Sequence, residues 1–346
     1  MQTKVLVAMS GGVDSSVAAV LMSEKGHQCI GVTLKLHENN AADVRDARQA
    51  ADKLGMPHYV LDFIEDFRSD VILPFIESYE EGLTPNPCIR CNKYIKFGRL
   101  LSGARKLDCG LLATGHYAQT EKSGSRWLLK KAADKKKDQS YVLYTLDQET
   151  LSRISLPLGR LTKEEVREIA RTRNLASAAR RDSQDICFVP DGDYGAFMEA
   201  YTGKTYAPGD ILDPSGKVIG RHQGLVRYTL GQRRGLGVAV NHPVYVCAKD
   251  TARNTITLGP ESSLYSKVLF AGRINLIACE TIENPIKAMV KTRYLQEEKP
   301  AWIVQTEKDE IRIQFDEDQR ALTPGQSAVF YDGETVIGGG IISSSA

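Results

Sequence analysis

What this 346-residue sequence lacks narrows it quickly. No apolar run approaches the roughly 18 residues needed to span a bilayer, so no membrane-spanning helix is expected. The apolar stretch from Val5 to Met22 could pass for a signal peptide, but Gly11, Gly12 and Asp14 break its centre. It has the periodicity of a strand followed by a helix, a reading that leaves the chain in the cytoplasm. Seven cysteines, an odd count without dense clustering, argue against a disulfide framework. There is no internal repeat and no low-complexity segment. A net charge of +2 points to no partner. The length exceeds what one hydrophobic core sustains, so two or three domains are expected.

The distribution of charge says more than its total. From Arg105 to Gln139 there are nine Lys/Arg against four acids, and from Gly216 to Ala248 five Lys/Arg and no acid. Either segment alone could be a solvated face; two together suit a polyanionic partner. Along the first half, strand and helix signals alternate. Val5–Met9, Cys29–Leu34, His58–Leu61 and Leu111–Thr114 read as strands, and Ser15–Lys25, Asp43–Leu54 and Asn92–Leu107 as helices. That alternation predicts βαβ units, a parallel sheet, and ligands at the carboxyl ends of its strands. Beyond Tyr206 helical periodicity disappears. Gly and Pro punctuate short runs such as Ala288–Arg293, Trp302–Thr306, Ile311–Phe315 and Ala328–Tyr331. The expectation is an α/β domain over 1–205, a small β module over 206–265 and a β barrel over 266–346.

Between the first strand and first helix lies Ser10-Gly11-Gly12-Val13-Asp14-Ser15-Ser16. A glycine pair lets consecutive N–H groups converge on an anion, and the following helix adds its positive dipole end. The serines supply hydroxyls, and Asp14 could hold a magnesium ion against phosphates. The loop lacks the Gly-Lys-Ser/Thr of the Walker pattern, and the Rossmann glycine pattern is absent too. A plain turn with helix-capping serines is the bland alternative. The loop resembles the pyrophosphate-binding loop of the ATP pyrophosphatase (PP-loop) superfamily, whose members split ATP into AMP and pyrophosphate and adenylate a carbonyl oxygen.

Replacing a carbonyl oxygen by sulfur needs that oxygen made a leaving group and sulfur delivered as a nucleophile. Adenylation does the first and a cysteine persulfide the second; a further thiolate must then release the carrier by forming a disulfide. Cys29, Cys109, Cys247 and Cys279 sit among apolar neighbours and read as small buried hydrophobes. Cys88, Cys91 and Cys187 sit among polar, Pro and Asn residues. Cys91 falls just before a predicted helix whose dipole, with Arg90 and Lys93, would lower its pKa. Cys88-x-x-Cys91 could also be half a zinc site, although no second pair exists, and Cys187 before Phe188 could be a core thiol. The strings SGGVDSS, TPNPCIRCNKYIKF, ATGHYA, KDQSYVL, DSQDICF and YTLGQRRGLG occur in an order that closely resembles the tRNA-specific 2-thiouridylase (MnmA) family through residue 237.

That resemblance implies ATP-dependent 2-thiolation of the wobble uridine of tRNA, a sulfurtransfer served by a cysteine desulfurase or a persulfide relay protein as donor. Ala8, Met9, Ser10, Gly11, Gly12, Val13, Asp14 and Ser15 would bind ATP with magnesium, joined by Leu34 and, on the adenine side, Gly115. Cys91 would be the nucleophile and Cys187 the persulfide carrier. Asn86, Pro87 and Cys88 would contact the target base. His116, Lys137, Asp138, Gln139, Arg293, Tyr294 and Gln326 would contact tRNA. Read locally, His116 could be an ordinary loop residue, Asp138 a neutraliser of Lys135 to Lys137, and Arg293-Tyr294 a surface pair. Some family members carry Asp where this chain has Cys88. Three alternatives stay open: an iron–sulfur cluster on Cys88, Cys91 and Cys187, a non-thiolating ligase using ammonia, and a non-catalytic RNA-binding protein.

Overall fold

The computed structural model describes residues 3–38, 41–179, 186–189 and 191–345. Strand β1 (Lys4–Ala8) has Val5, Leu6 and Val7 wholly buried, as a strand covered on both faces requires. Helix α1 (Val13–Glu24) returns to β2 (Gln28–Lys35), and α2 (Ala41–Lys53) returns to β3 (His58–Asp62). The chain then comes back through β4 (Leu111–Ala113) on the other side of β1, with β7 (Ile154–Ser155) beyond it. The five-stranded sheet has the order β3-β2-β1-β4-β7 and every pairing is parallel. Because the order reverses at β1, a crevice opens between the carboxyl ends of β1 and β4, where such folds bind ligands.

The hairpin β5 (Gln119–Ser123) and β6 (Arg126–Lys130), inside the first basic segment, leaves this sheet and extends the C-terminal one. The middle unit is a four-stranded sheet, β10 (Tyr245–Asp250), β11 (Thr255–Gly259), β8 (Gly209–Leu212) and β9 (Val218–His222), in that spatial order. The last six strands are β12 (Tyr265–Leu276), β13 (Ile286–Lys291), β14 (Lys299–Glu307), β15 (Glu310–Arg320), β16 (Ser327–Asp332) and β17 (Thr335–Ser345). They run antiparallel in the order β12-β15-β14-β13-β16-β17, and β17 pairs back to β12, closing a barrel.

Barrel and parallel sheet are welded by a shared core. Leu6 and Leu112 belong to one hydrophobic cluster with Tyr141, Tyr144, Val329, Tyr331 and Val336. The short helical turn Ser140–Leu143 carries the weld. Tyr141 donates its hydroxyl to the Ser327 carbonyl at 2.8 Å, and Asn275 donates its amide to the Tyr144 carbonyl at 2.6 Å. Among the described residues no helix is long and apolar enough to cross a membrane.

Candidate active site

Ser10–Ser16 occupies the crevice between β1 and β4. Gly11 adopts φ +74°, and a Cβ there would meet the Asp43 carbonyl oxygen at 2.6 Å. Gly12 is the N-cap of α1 and has no side chain to cap it. The serines do not cap it either: Ser15 Oγ and Ser16 Oγ donate to the Gly12 carbonyl at 3.0 and 2.9 Å. The first-turn N–H groups therefore have no side-chain cap, which with the helix dipole makes an anion site. Gly115, after β4, packs on this turn so closely that a Cβ would lie 2.8 Å from the Ser15 nitrogen. Met9 is fixed below it, donating to the Val32 carbonyl at 2.8 Å. Leu34, near the end of β2, pairs in register with Leu61.

Asp14 has a different task from the one expected. Its two carboxylate oxygens accept from Lys163 Nζ at 2.6 and 2.8 Å, and Oδ1 also accepts from the Tyr117 hydroxyl at 2.7 Å. Lys163 opens the helix Lys163–Thr172, where the helix dipole disfavours a cation, and its side chain is only 8% exposed. It needs a counter-ion there, and Asp14 is that counter-ion. The sole Gly-Lys-Thr string, Gly203–Thr205, follows the C-terminus of the helix Tyr194–Thr202, with Lys204 paired to Glu80, so it sits at the wrong helix end for phosphate.

The cysteine pair lies on a continuous helix through Pro87–Arg90, Cys91–Arg99 and Leu100–Lys106, the middle nine residues wound as a π-helix. Asn86 caps it, its Oδ1 accepting from the Cys88 N–H at 3.1 Å, and Pro87 takes the first turn, where its missing N–H is not needed. Cys91 is buried one turn in, and burial pushes its thiol up to about 11, opposed by Lys96 and reinforced by Cys187 and Cys88. The expectation of a depressed pKa is corrected on two counts. Desolvation outweighs the dipole, and Arg90 and Lys93 turn away. Arg90 Nε donates to the Asp70 carbonyl at 2.8 Å, and both cations lie over the Tyr94 ring. The nearby cation is Lys96, because i→i+5 winding stacks residue 96 over residue 91.

Cys187 is exposed, in a turn anchored by Phe188, whose ring meets Phe67, Phe75 and Phe197 at 5.7, 5.3 and 5.3 Å. Burial raises its pKa, as does Cys88, while Lys96 lowers it. The residues Asp182 to Asp185 that precede it in the motif lie outside the described residues. Cys88, Cys91 and Cys187 therefore form one electrostatic cluster around Lys96. All seven thiols are free; Cys29 and Cys109 are buried, Cys247 and Cys279 half-buried. Among the described residues no three His, Cys, Asp or Glu side chains are grouped to hold a metal ion, so the three thiols do not fit a cluster as arranged here.

The barrel supplies one wall. Burial raises the Tyr294 hydroxyl to about 12, and Asp138 and Cys88 add to the shift. Arg293 donates to the Ala321 carbonyl at 3.0 Å and Thr323 Oγ1 at 3.1 Å. Gln326 donates to the Thr84 carbonyl at 2.7 Å, and the Thr84 N–H donates to the Pro324 carbonyl at 3.0 Å. Thus the loop feeding the cysteine helix is clamped to the barrel.

Two other expected tRNA contacts, His116 and Asp138, are buried. His116 is buried against Phe97, with Nδ1 2.7 Å from Thr114 Oγ1, and burial holds its pKa well below the usual range. Asp138 is buried and accepts from the Ala132 N–H at 3.0 Å and the Ser140 hydroxyl at 2.7 Å. Gln139 Oε1 accepts from the Tyr117 N–H at 2.9 Å, and the Lys137 N–H donates to the Asp134 carbonyl at 3.1 Å. These residues set the pocket wall and the docking of the barrel. Sequence reasoning missed Tyr117, Lys163 and Lys96. Lys96 could have been found by counting five residues on from Cys91, but only with π winding assumed.

An anion-binding loop at the divide of a parallel sheet, together with a coupled thiol cluster and a barrel clamped to the cysteine loop, defines a nucleotide-using α/β enzyme with appended β units. Family models match three consecutive regions: the tRNA methyl transferase HUP domain over 3–191, the tRNA methyl transferase PRC-barrel domain over 195–260, and the aminomethyltransferase β-barrel domain over 266–342. The tRNA-specific 2-thiouridylase MnmA of Clostridioides difficile is 46% identical, covering 100% of this chain and 99% of its own. That of Acetivibrio thermocellus is 45% identical, covering 98% and 99%. The chain belongs to the tRNA-specific 2-thiouridylase family. A solved U34-tRNA thiolase, NcsA from Methanococcus maripaludis, is 18% identical with a TM-score of 0.37, covering 58% of this chain and 67% of its own, a likeness too distant to carry an argument.

Proposed function

We propose that this chain replaces the C2 oxygen of the wobble uridine of tRNA by sulfur, at the expense of ATP. The observation that carries the reading is the coupling of Cys88, Cys91 and Cys187 around Lys96, whose charge also acts on His116, the neighbour of the Gly115 that packs on the uncapped first turn of α1. The family models' descriptions speak of methyl transfer, but a methyl transfer would leave both the anion loop and three coupled thiols without a task.

ATP binds with its phosphates on Ser10–Ser15. The uridine, unstacked from its neighbours, places its C2 oxygen against the α-phosphate; the O–P bond forms and pyrophosphate leaves. The terminal sulfur of a Cys187 persulfide then attacks C2. Cys91 thiolate attacks the Cys187 sulfur, the S–S bond to the transferred sulfur breaks, and C2 expels AMP. A Cys91–Cys187 disulfide remains, which a thiol reductant resets. Exposure of Cys187 suits loading by a donor protein, a cysteine desulfurase or persulfide relay, and burial of Cys91 shields it from premature oxidation. Magnesium arrives as the counter-ion of ATP; no residue is assigned to it, because Asp14 is held by Lys163. The reaction belongs in the cytoplasm, where tRNA and ATP meet.

The test is Cys187→Ser. The variant should release pyrophosphate in a tRNA-dependent manner yet make no 2-thiouridine, read by mass spectrometry of tRNA nucleosides. Wild-type protein should carry an added sulfur mass on the Cys187 peptide after incubation with a cysteine desulfurase. Thiouridine formed by Cys187→Ser from a protein persulfide donor would remove Cys187 from this role.

A further inference from the structure

Leu295 is 89% exposed, against 52% or less for every other exposed large hydrophobic side chain among the described residues. A lone exposed leucine needs no explanation by itself; its position gives this one a meaning. It sits between β13 and β14, immediately after Tyr294, which packs against the cluster that holds Tyr141 and Ile89, the residue next to Cys88. The turn is held rather than loose. Thr292 Oγ1 donates to Gln296 Oε1 at 2.7 Å, the Gln296 N–H donates to the Arg293 carbonyl at 3.2 Å, and Arg293 is fastened to Ala321 and Thr323. Tyr294 packs on Tyr141 with ring centroids 6.0 Å apart. The charges that follow it in the turn are acidic, Glu297 and Glu298, the latter tied to Lys131 at 2.7 Å.

We propose that Leu295 is a wedge that enters the gap left in the anticodon stack when the target uridine turns out toward the thiols. This rests on the thiolation reading above. A base cannot reach Cys187 while stacked, and the vacated space closes again unless an apolar group fills it. Such a group must be apolar, solvent-facing before binding, rigidly mounted and one side chain from the pocket. Leu295 meets all four conditions. The other exposed candidates are placed differently: Tyr59 and Val60 lie on the edge strand β3, Val218 on the middle sheet with Val240 in the loop before β10, Tyr201 on the helix Tyr194–Thr202, Tyr265 on β12, Trp302 on β14 under Lys287, and Tyr94 under Arg90 and Lys93.

The experiment uses the full chain, a tRNA transcript, and the same transcript with 2-aminopurine beside the target uridine. With wild type, binding should raise 2-aminopurine fluorescence. With Leu295→Ser the rise should be lost while tRNA affinity stays within about twofold, and thiolation kcat/KM should fall by about tenfold to a hundredfold. Leu295→Met should restore both. On a tRNA carrying abasic sites beside the uridine, where there is no stack to open, Leu295→Ser and wild type should match. Unchanged fluorescence and kcat/KM in Leu295→Ser would overturn the wedge. So would an equal loss on both substrates, or a defect confined to persulfide loading of Cys187, which would make the turn a donor-protein contact. The fluorescence arm needs no chemistry, so it decides the wedge even where wild type forms no thiouridine, an outcome that would sink the thiolation reading instead.

Discussion

At the scale of single residues, the chemistry turns on how burial competes with charge. Cys91 was legible as a reactive position from its motif, but its protonation state was not. The dipole and flanking cations visible in the sequence all lower its pKa, whereas the desolvation that wins is set by packing. With a pKa near 11 the resting residue is a thiol, so its thiolate fraction rises with pH through the neutral range. Alkylation of Cys91 by iodoacetamide, followed by peptide mass spectrometry, should therefore accelerate about tenfold per pH unit between roughly pH 7 and 10. Lys96→Met removes the one cation among the described residues that lowers this pKa and should slow the reaction at every pH in that range. A rate that levels off below pH 8 would show that Cys91 rests as a thiolate. The same limit explains Asp14. A carboxylate in a phosphate loop suggests a metal, and only the fold reveals that Lys163, 149 positions away, pairs with it.

At the scale of elements, the parallel strands and their order of appearance followed from alternating apolar runs, because β1, β2 and β4 are buried by the helices packed over them. The hairpin β5–β6 escaped notice because its strand Gln119–Ser123 is polar and half exposed, with no alternation to read. The π winding of the cysteine helix escaped too, since its residues are ordinary helix formers and the wider turn answers to tertiary packing. The clamp between barrel and cysteine loop is also a tertiary feature, and it can be tested at one glycine. Gly325 has φ +90°, and a Cβ there would lie 2.8 Å from the Thr84 nitrogen. Gly325→Ala should cost about 1–3 kcal/mol through backbone strain and the displaced loop, lowering the melting temperature. Thiolation should fall further than ATP binding, because Cys88 is displaced while Ser10–Ser15 is not. A variant with wild-type melting and thiolation would show that the clamp is incidental.

At the scale of the whole molecule, charge is distributed more selectively than the sequence counts suggest. Much of the first basic segment is taken up inside the protein: Arg105 pairs with Glu149 within the α/β unit, while Arg126, with Glu280 and the Ile277 and Cys279 carbonyls, and Lys131, with Glu298, tie that unit to the barrel. In the second segment Arg227 is likewise taken, by Asp193 at 3.2 Å and Glu199 at 2.7 Å. The sequence could not separate these from the remainder, since pairing across 28 to 167 residues leaves no local trace. What stays exposed includes Lys135 and Lys136 on one unit and Arg233 and Arg234 on another. A surface assembled from separate units in this way fits an extended polyanion better than a small anion. Affinity for tRNA should therefore fall steeply with salt, and the slope should flatten by roughly one unit per lost phosphate contact. Arg233→Glu with Arg234→Glu should weaken tRNA binding about tenfold or more at roughly 100 mM salt, because it both removes contacts and adds repulsion. ATP affinity should stay within about twofold, the nucleotide loop lying in a different unit. Arg227→Glu is the contrasting variant: it breaks two ion pairs inside the protein, so it should lower the melting temperature, which the double reversal should not. Filter binding across a salt series, with melting curves alongside, separates these cases. Unchanged tRNA affinity in the double reversal would move the RNA path off the middle unit and onto the barrel and hairpin alone.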